Sequence, residues 1–253
     1  MRWRAAGIAA GVLCLCASVF AQQPAPTEPN YRSAVPKELK PGEKVPLIVY
    51  LHGTMGSADQ VLGSLQPLVE PWRFAILVPR GSVRQGTRPD GKPGYGWRPD
   101  VDVAKIAAEI RRMIDAGTVD PKRIYLMGFS AGASMCYVVM SRNPDLFTGV
   151  VCFSGMIQKD LVREGDLKAA AAKVPVYIVH GTQDPVMPVR LAESARDVLT
   201  KAGFRVHLLT FAGQHQVPPN YTDVLKEAIE WCSAQKAELD AKPPAKTGRK
   251  ETP

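Results

Sequence analysis

The chain has 253 residues, 45% hydrophobic and 22% charged, an ordinary balance for a globular protein. That length allows one large α/β domain or two small ones. The formal net charge is +8, but Lys and Arg are scattered and partly gathered in the C-terminal tail. With no basic stripe and no interleaved aromatics, composition argues against nucleic-acid binding and for a generally basic surface.

Residues 1–21 have the layout of a secretory signal peptide. Arg2 and Arg4 precede an apolar run from Ala5 to Phe20, and Val19 and Ala21 lead into a polar, Pro-rich segment. The run has 16 residues, short of the ~20 that cross a bilayer, so a membrane anchor fits less well. The expectation is cleavage after Ala21, an exported (periplasmic or secreted) protein, and no stable membrane insertion afterwards. Cys14 and Cys16 leave with that peptide. Cys136, Cys152 and Cys232 remain, an odd number without CxxC spacing. No zinc site is expected from them, and at most one disulfide. Each lies in an apolar stretch and reads as a small buried residue.

Residues 22–43 are Pro-rich and polar and read as a linker or an arm over the surface. The segment "VPLIVYLHG" (Val45 to Gly53) is a short β-branched run ending in glycine, hence a buried strand, and "FAILVPRG" (Phe74 to Gly81) is another. The stretch "QGTRPDGKPGYGWRPD" (residues 85–100) holds four glycines and three prolines and reads as a loop. From Val101 to Ala116, apolar residues recur at helical spacing, with Asp100 and Asp102 suited to the positive end of the helix dipole. Strands follow at Ile124–Phe129, Val150–Phe153, Val176–His180 and Val206–Phe211. Helices are expected at Ala131–Arg142, Gly165–Lys173, Leu191–Ala202 and Pro219–Gln235. Strands that are apolar throughout and alternate with helices indicate a mostly parallel central sheet covered on both faces. One α/β domain over residues 44–236 accounts for the pattern. Residues 237–253, rich in Lys, Pro and Thr, are expected to be a disordered charged tail.

The stretch "IYLMGFSAGASM" (Ile124 to Met135) places Ser130 between Gly128 and Gly132, directly after an apolar strand. A tight strand-to-helix turn needs small residues in any case. The same pattern also suits a nucleophile elbow, which pushes a hydroxyl out beyond the strand's carboxyl end. A serine nucleophile needs a base, and the base needs an orienting carboxylate. Asp184, in "VHGTQDPVMP", and His215, in "FAGQHQVPP", both follow later strands, 54 and then 31 residues on. Order, spacing and strand-end placement agree. Asp184 as a turn cap before Pro185, and His215 as a packed loop residue, are the plainer alternatives. Of the other histidines, His52 and His180 each end a strand before glycine and are expected to hydrogen-bond neighbouring loops. His207 has no evident role.

Acyl transfer also needs donors for the developing oxyanion. The Ala131 amide, just after the serine, is one candidate. The other is the Thr54 amide in "LHGTMGS", whose glycines let backbone approach a ligand; a simple Gly-rich turn fits the same residues. Met55, Trp97, Met156 and Met187 flank these loops and are candidate pocket residues. Loop residues closing the core edge are the competing account.

The motifs "LHGTMGS", "MGFSAGASM", "FSGM", "HGTQDPVMPV" and "GQHQVPP", in this order, resemble the phospholipase/carboxylesterase group of α/β-hydrolases. These are relatives of dienelactone hydrolases and of secreted polyester and feruloyl esterases. The resemblance runs from about Val45 to Trp231. It implies an α/β-hydrolase fold and hydrolysis of carboxylic esters or thioesters without cofactor or metal, through Ser130, Asp184 and His215. Dienelactone hydrolases use cysteine, so the serine here argues against that activity. With no apolar lid helix in the sequence, a short-chain or water-soluble small-molecule ester is the expected substrate. A polyester depolymerase, a feruloyl esterase, a serine peptidase and a non-catalytic binding protein on the same scaffold are the other readings.

Overall fold

The computed structural model describes residues 30–241. The export signal expected over residues 1–21 lies outside them. The frame is a seven-stranded sheet whose order β1-β3-β2-β6-β7-β8-β9 is parallel except at one edge. Its strands are β1 (Tyr31–Ala34), β2 (Val45–Leu51), β3 (Ala75–Pro79), β6 (Val119–Phe129), β7 (Gly149–Phe153), β8 (Val176–Gly181) and β9 (Val206–Phe211). β2 and β8 are buried at every residue, as strands covered on both sides must be.

Two apolar layers result from the alternation of side chains along β2. Leu47, Val49 and Leu51 pack with α3 (Pro99–Asp115), α4 (Ala131–Arg142), α5 (Glu164–Ala171) and α6 (Arg190–Ala202). Ile48 and Tyr50 face the other layer, under α1 (Ala58–Leu65), α2 (Val69–Trp72) and α7 (Tyr221–Asp240). Cys136, Cys152 and Cys232 are free thiols fully inside these layers.

Helix ends follow local chemistry. Ser57 caps α1 by accepting from the Gln60 amide at 3.2 Å. Gly203, in the left-handed conformation, closes α6. At the start of α3, Asp102 does more than complement the dipole. It is fully buried and accepts from the Arg98 amide (2.7 Å) and from the Ser82 amide and hydroxyl (3.2 and 3.1 Å).

The mostly parallel sheet with helices on both faces is as expected, and most elements fall within a few residues of their expected places. Four differences stand out. The arm expected over residues 22–43 supplies β1, which pairs antiparallel with β3 through Tyr31↔Pro79 to Ala34↔Ile76. The loop expected over residues 85–100 contains most of a hairpin, β4 (Val83–Thr87) with β5 (Pro93–Gly96), whose glycines serve the turn and close packing. α1 and α2 were not anticipated, because "ADQVLGSLQPLVEPW" mixes glycine and prolines into a short apolar pattern. α7 continues to Asp240, four residues into the expected tail; residues 242–253 lie outside the described part. Among the described residues, no helix is long and apolar enough to cross a membrane.

Candidate active site at the carboxyl ends of the strands

Ser130 stands between β6 and α4 with φ +56° and ψ −120°, a conformation non-glycine residues seldom adopt. Such strain costs of order 1–3 kcal/mol and persists only where the surroundings over-determine it. Here they do. The Ser130 amide donates to the Phe153 carbonyl (2.8 Å) and its carbonyl accepts from the Ser134 amide (3.0 Å). The flanking glycines let the turn press against its neighbours. A Cβ on Gly128 would lie 2.6 Å from the Gly132 carbonyl carbon, and one on Gly132 would run into main-chain oxygens of Leu51 and His52.

The hydroxyl so displayed meets a histidine. His215, on the loop after β9, has Nε2 3.0 Å from Ser130 Oγ and Nδ1 2.7 Å from Asp184 Oδ2. An ionised carboxylate only accepts, so Nδ1 carries the proton and the Nε2 lone pair faces the hydroxyl. Asp184, after β8, is buried and held by three donors. Oδ1 accepts from the amides of Val186 (2.9 Å) and Met187 (2.7 Å), and Oδ2 from His215. Burial pushes its pKa up, but the hydrogen bonds from Met187, His215 and Val186 outweigh it, and the net shift is downward. His180 donates Nε2–H to the Met187 carbonyl (2.6 Å) and lies 3.5 Å from Asp184 Oδ2, stiffening the turn that holds the acid.

The loop after β2 lies against the elbow: a Cβ on Gly53 would come within 3.5 Å of Ser130 Cβ. The Thr54 and Ala131 amides have no acceptor among the described residues. Several contacts fix this loop. His52 Nδ1–H donates to the Gly53 carbonyl (2.8 Å), and His52 Nε2 accepts from the Gly81 amide (3.1 Å). Burial lowers the His52 pKa to about 4, so the ring is neutral. Trp97 Nε1 donates to the His52 carbonyl (2.8 Å) while its ring stacks on the imidazole at 4.5 Å. The hairpin adds a third fastening: Gln85 Oε1 accepts from the Met55 amide (2.8 Å), and the Tyr95 amide donates to the Gly56 carbonyl (3.0 Å).

Beside His215 and Thr54 opens a cavity of about 580 Å³, walled by Met55, Val61, Leu65, Phe129 and Val217. Of the four expected pocket residues only Met55 lines it. Trp97 instead braces the loop before Thr54. Met156 sits behind α4, its amide on Ser134 Oγ (3.0 Å), and Met187 is part of the Asp184 turn. Proximity to a motif in sequence does not set side-chain direction. Val61 and Leu65 were missed because α1 was missed, whereas Phe129, next to the serine, was open to inspection. His52 and His180 do bond neighbouring loops as expected, and His207 packs against Tyr177 and Trp231, tilted to both rings with centroids 4.6 and 5.7 Å away. Among the described residues, no group of three or more His, Cys, Asp or Glu could hold a metal ion.

The profile of the family described as Phospholipase/Carboxylesterase matches residues 38–233. NocK of Nocardia uniformis is 28% identical over 146 residues, 56% of this chain and 41% of NocK. Esterase YpfH of Escherichia coli is 27% identical over 186 residues, 67% of this chain and 74% of its own length. The chain thus spans less than half of NocK and about three quarters of YpfH. The crystal structure of esterase PE8 superposes with a TM-score of 0.62 at 23% identity, over 78% of this chain and 97% of that one. This likeness is one of fold.

Proposed function

Because the chain belongs to the phospholipase/carboxylesterase family of α/β-hydrolases, we propose that it is a serine hydrolase that cleaves carboxylic esters through Ser130, His215 and Asp184. The observation that carries this reading is the unbroken hydrogen-bonded line from Ser130 Oγ through both ring nitrogens of His215 to Asp184. A strained serine with an oriented base has no packing role that a smaller residue would not fill better.

In this mechanism Ser130 Oγ attacks the acyl carbonyl carbon as its proton passes to His215 Nε2. Asp184 holds the tautomer and stabilises the imidazolium. The carbonyl oxygen becomes an oxyanion, and the amides of Thr54 and Ala131 are the donors assigned to it. Collapse breaks the ester C–O bond, and the imidazolium protonates the departing alcohol. Water, deprotonated by His215, then attacks the acyl-enzyme, releasing the acid and restoring Ser130.

The substrate proposed is a small-molecule ester, short-chain or water-soluble, with one part seated in the cavity along α1. No cofactor takes part. A panel of p-nitrophenyl esters and aminoacyl amides tests this: wild-type protein is expected to cleave the short esters, and Ser130→Ala to lose about four to six orders of magnitude in kcat. Substantial activity in Ser130→Ala, or cleavage of amides alone, would overturn it. Export is part of the proposal and rests on the sequence of residues 1–21. Protein recovered from the producing cell's periplasm or medium is expected to begin at Gln22.

A further inference from the structure

A second cavity, about 460 Å³, lies between α5 and α6 and shares no lining residue with the cavity beside His215. Its volume falls in the range of small-ligand sites, roughly 300–1,000 Å³. Ile157, Val162, Leu167 and Val198 supply apolar walls. The rest of the lining is strongly one-sided in charge. Lys159, Arg163, Lys168 and Lys201 face a single acid, Glu164, and Glu164 is already paired with Lys168 at 2.8 Å. Lys159, Arg163 and Lys201 make no ion pair within 4 Å among the described residues, although Lys201 is near enough to help hold the Glu164 carboxyl below its usual range, after Lys168.

Apolar walls beneath an excess of cations over acids match a ligand with an apolar body and one anionic end. We propose that this cavity is a second binding site, for a free alkyl carboxylate of medium chain length. The chain lies along Leu167 and Val198, and the carboxylate meets Arg163 and Lys201, whose removal from water is small because the head group stays at the rim. Cationic guanidinium and ammonium groups give charge-assisted hydrogen bonds to such a head. The proposal is independent of the ester-hydrolysis reading, since no residue of the Ser130 site takes part.

Calorimetric titration of the full protein with butyrate, hexanoate and octanoate tests it, with octyltrimethylammonium as the cation of matching chain. Saturable octanoate binding is expected, strengthening by about fourfold per added methylene, with none for the cation. The double variant Arg163→Glu/Lys201→Glu, on exposed positions, is expected to weaken octanoate binding at least tenfold. Val198→Trp should abolish it, while Val61→Trp, in the other cavity, should leave it unchanged. Thermal denaturation checks that each variant folds, and the charge-reversal variant alone carries the test if Val198→Trp does not. No saturable octanoate binding by the wild-type protein would overturn the proposal. So would binding that survives charge reversal, or binding lost in Val61→Trp.

Discussion

The indole nitrogen of Trp97 lies 2.8 Å from the main-chain oxygen of His52, two residues before the Thr54 amide that the proposed mechanism turns on the oxyanion. The ring also stacks on the His52 imidazole. Trp97 therefore acts at a distance, by fixing the loop that carries a donor. It touches the reaction only through that loop.

Trp97→Phe keeps an aromatic ring over His52 and removes the donor. Loss of one buried hydrogen bond costs about 1–3 kcal/mol. If the loop loosens, the loss falls on the transition state, and kcat for a short p-nitrophenyl ester is expected to drop about tenfold with little change in KM. A KM effect alone would return Trp97 to the role of a pocket wall.

His52 gives the fold a pH dependence. Its folded-state pKa is about 4 because of burial, whereas an imidazole in the unfolded chain titrates near ~6.5. Between those values the unfolded chain binds a proton that the folded protein does not. Stability is therefore full above pH ~6.5 and declines as pH falls toward ~4, by up to about 3 kcal/mol. Urea denaturation across that window is expected to show the decline in wild-type protein and a shallower one in His52→Gln.

The elbow glycine at position 132 has no room for a methyl group, since the obstacles are main-chain oxygens of Leu51 and His52 that cannot rotate away. Gly132→Ala is expected to destabilise the protein by at least about 2 kcal/mol and to disturb Ser130. Gly165, near the start of α5, faces open space. There Gly165→Ala should be neutral or stabilising by up to about 1 kcal/mol. Paired denaturation curves compare the two.

Asp184→Asn tests the orienting role separately from the nucleophile. An amide can donate to His215 Nδ1, which would turn the ring's proton toward Ser130 and leave no base. A fall of about 10⁴ in kcat at neutral pH is expected, with the fold retained and the ester KM little changed. Steady-state kinetics on the folded variant measure both.

Much of this was readable from local pattern. Ser130, Asp184 and His215 announce themselves because each follows an apolar strand in a short run of small or turn-forming residues, and the sheet brings such ends together. The elements missed are those where the chain spends glycine and proline inside regular structure. "RPDGKPGYG" reads as loop because β5 needs glycine where Met55 and the Arg88 stem press on Gly94. β1 was invisible because a four-residue edge strand is only partly buried and carries no apolar run. Pocket walls were the least legible. Met156 and Met187 stand beside the candidate site loops in sequence, yet their main chains, not their side chains, serve the neighbouring residues.

The central claim is that His215 activates Ser130 as a nucleophile. A fluorophosphonate probe reports this directly, because it phosphonylates only an activated serine, and mass spectrometry locates the adduct. We expect a single adduct on Ser130 in the folded protein, and none in His215→Ala. Folded protein that takes up no probe, or an adduct that persists at full rate without His215, would contradict the account.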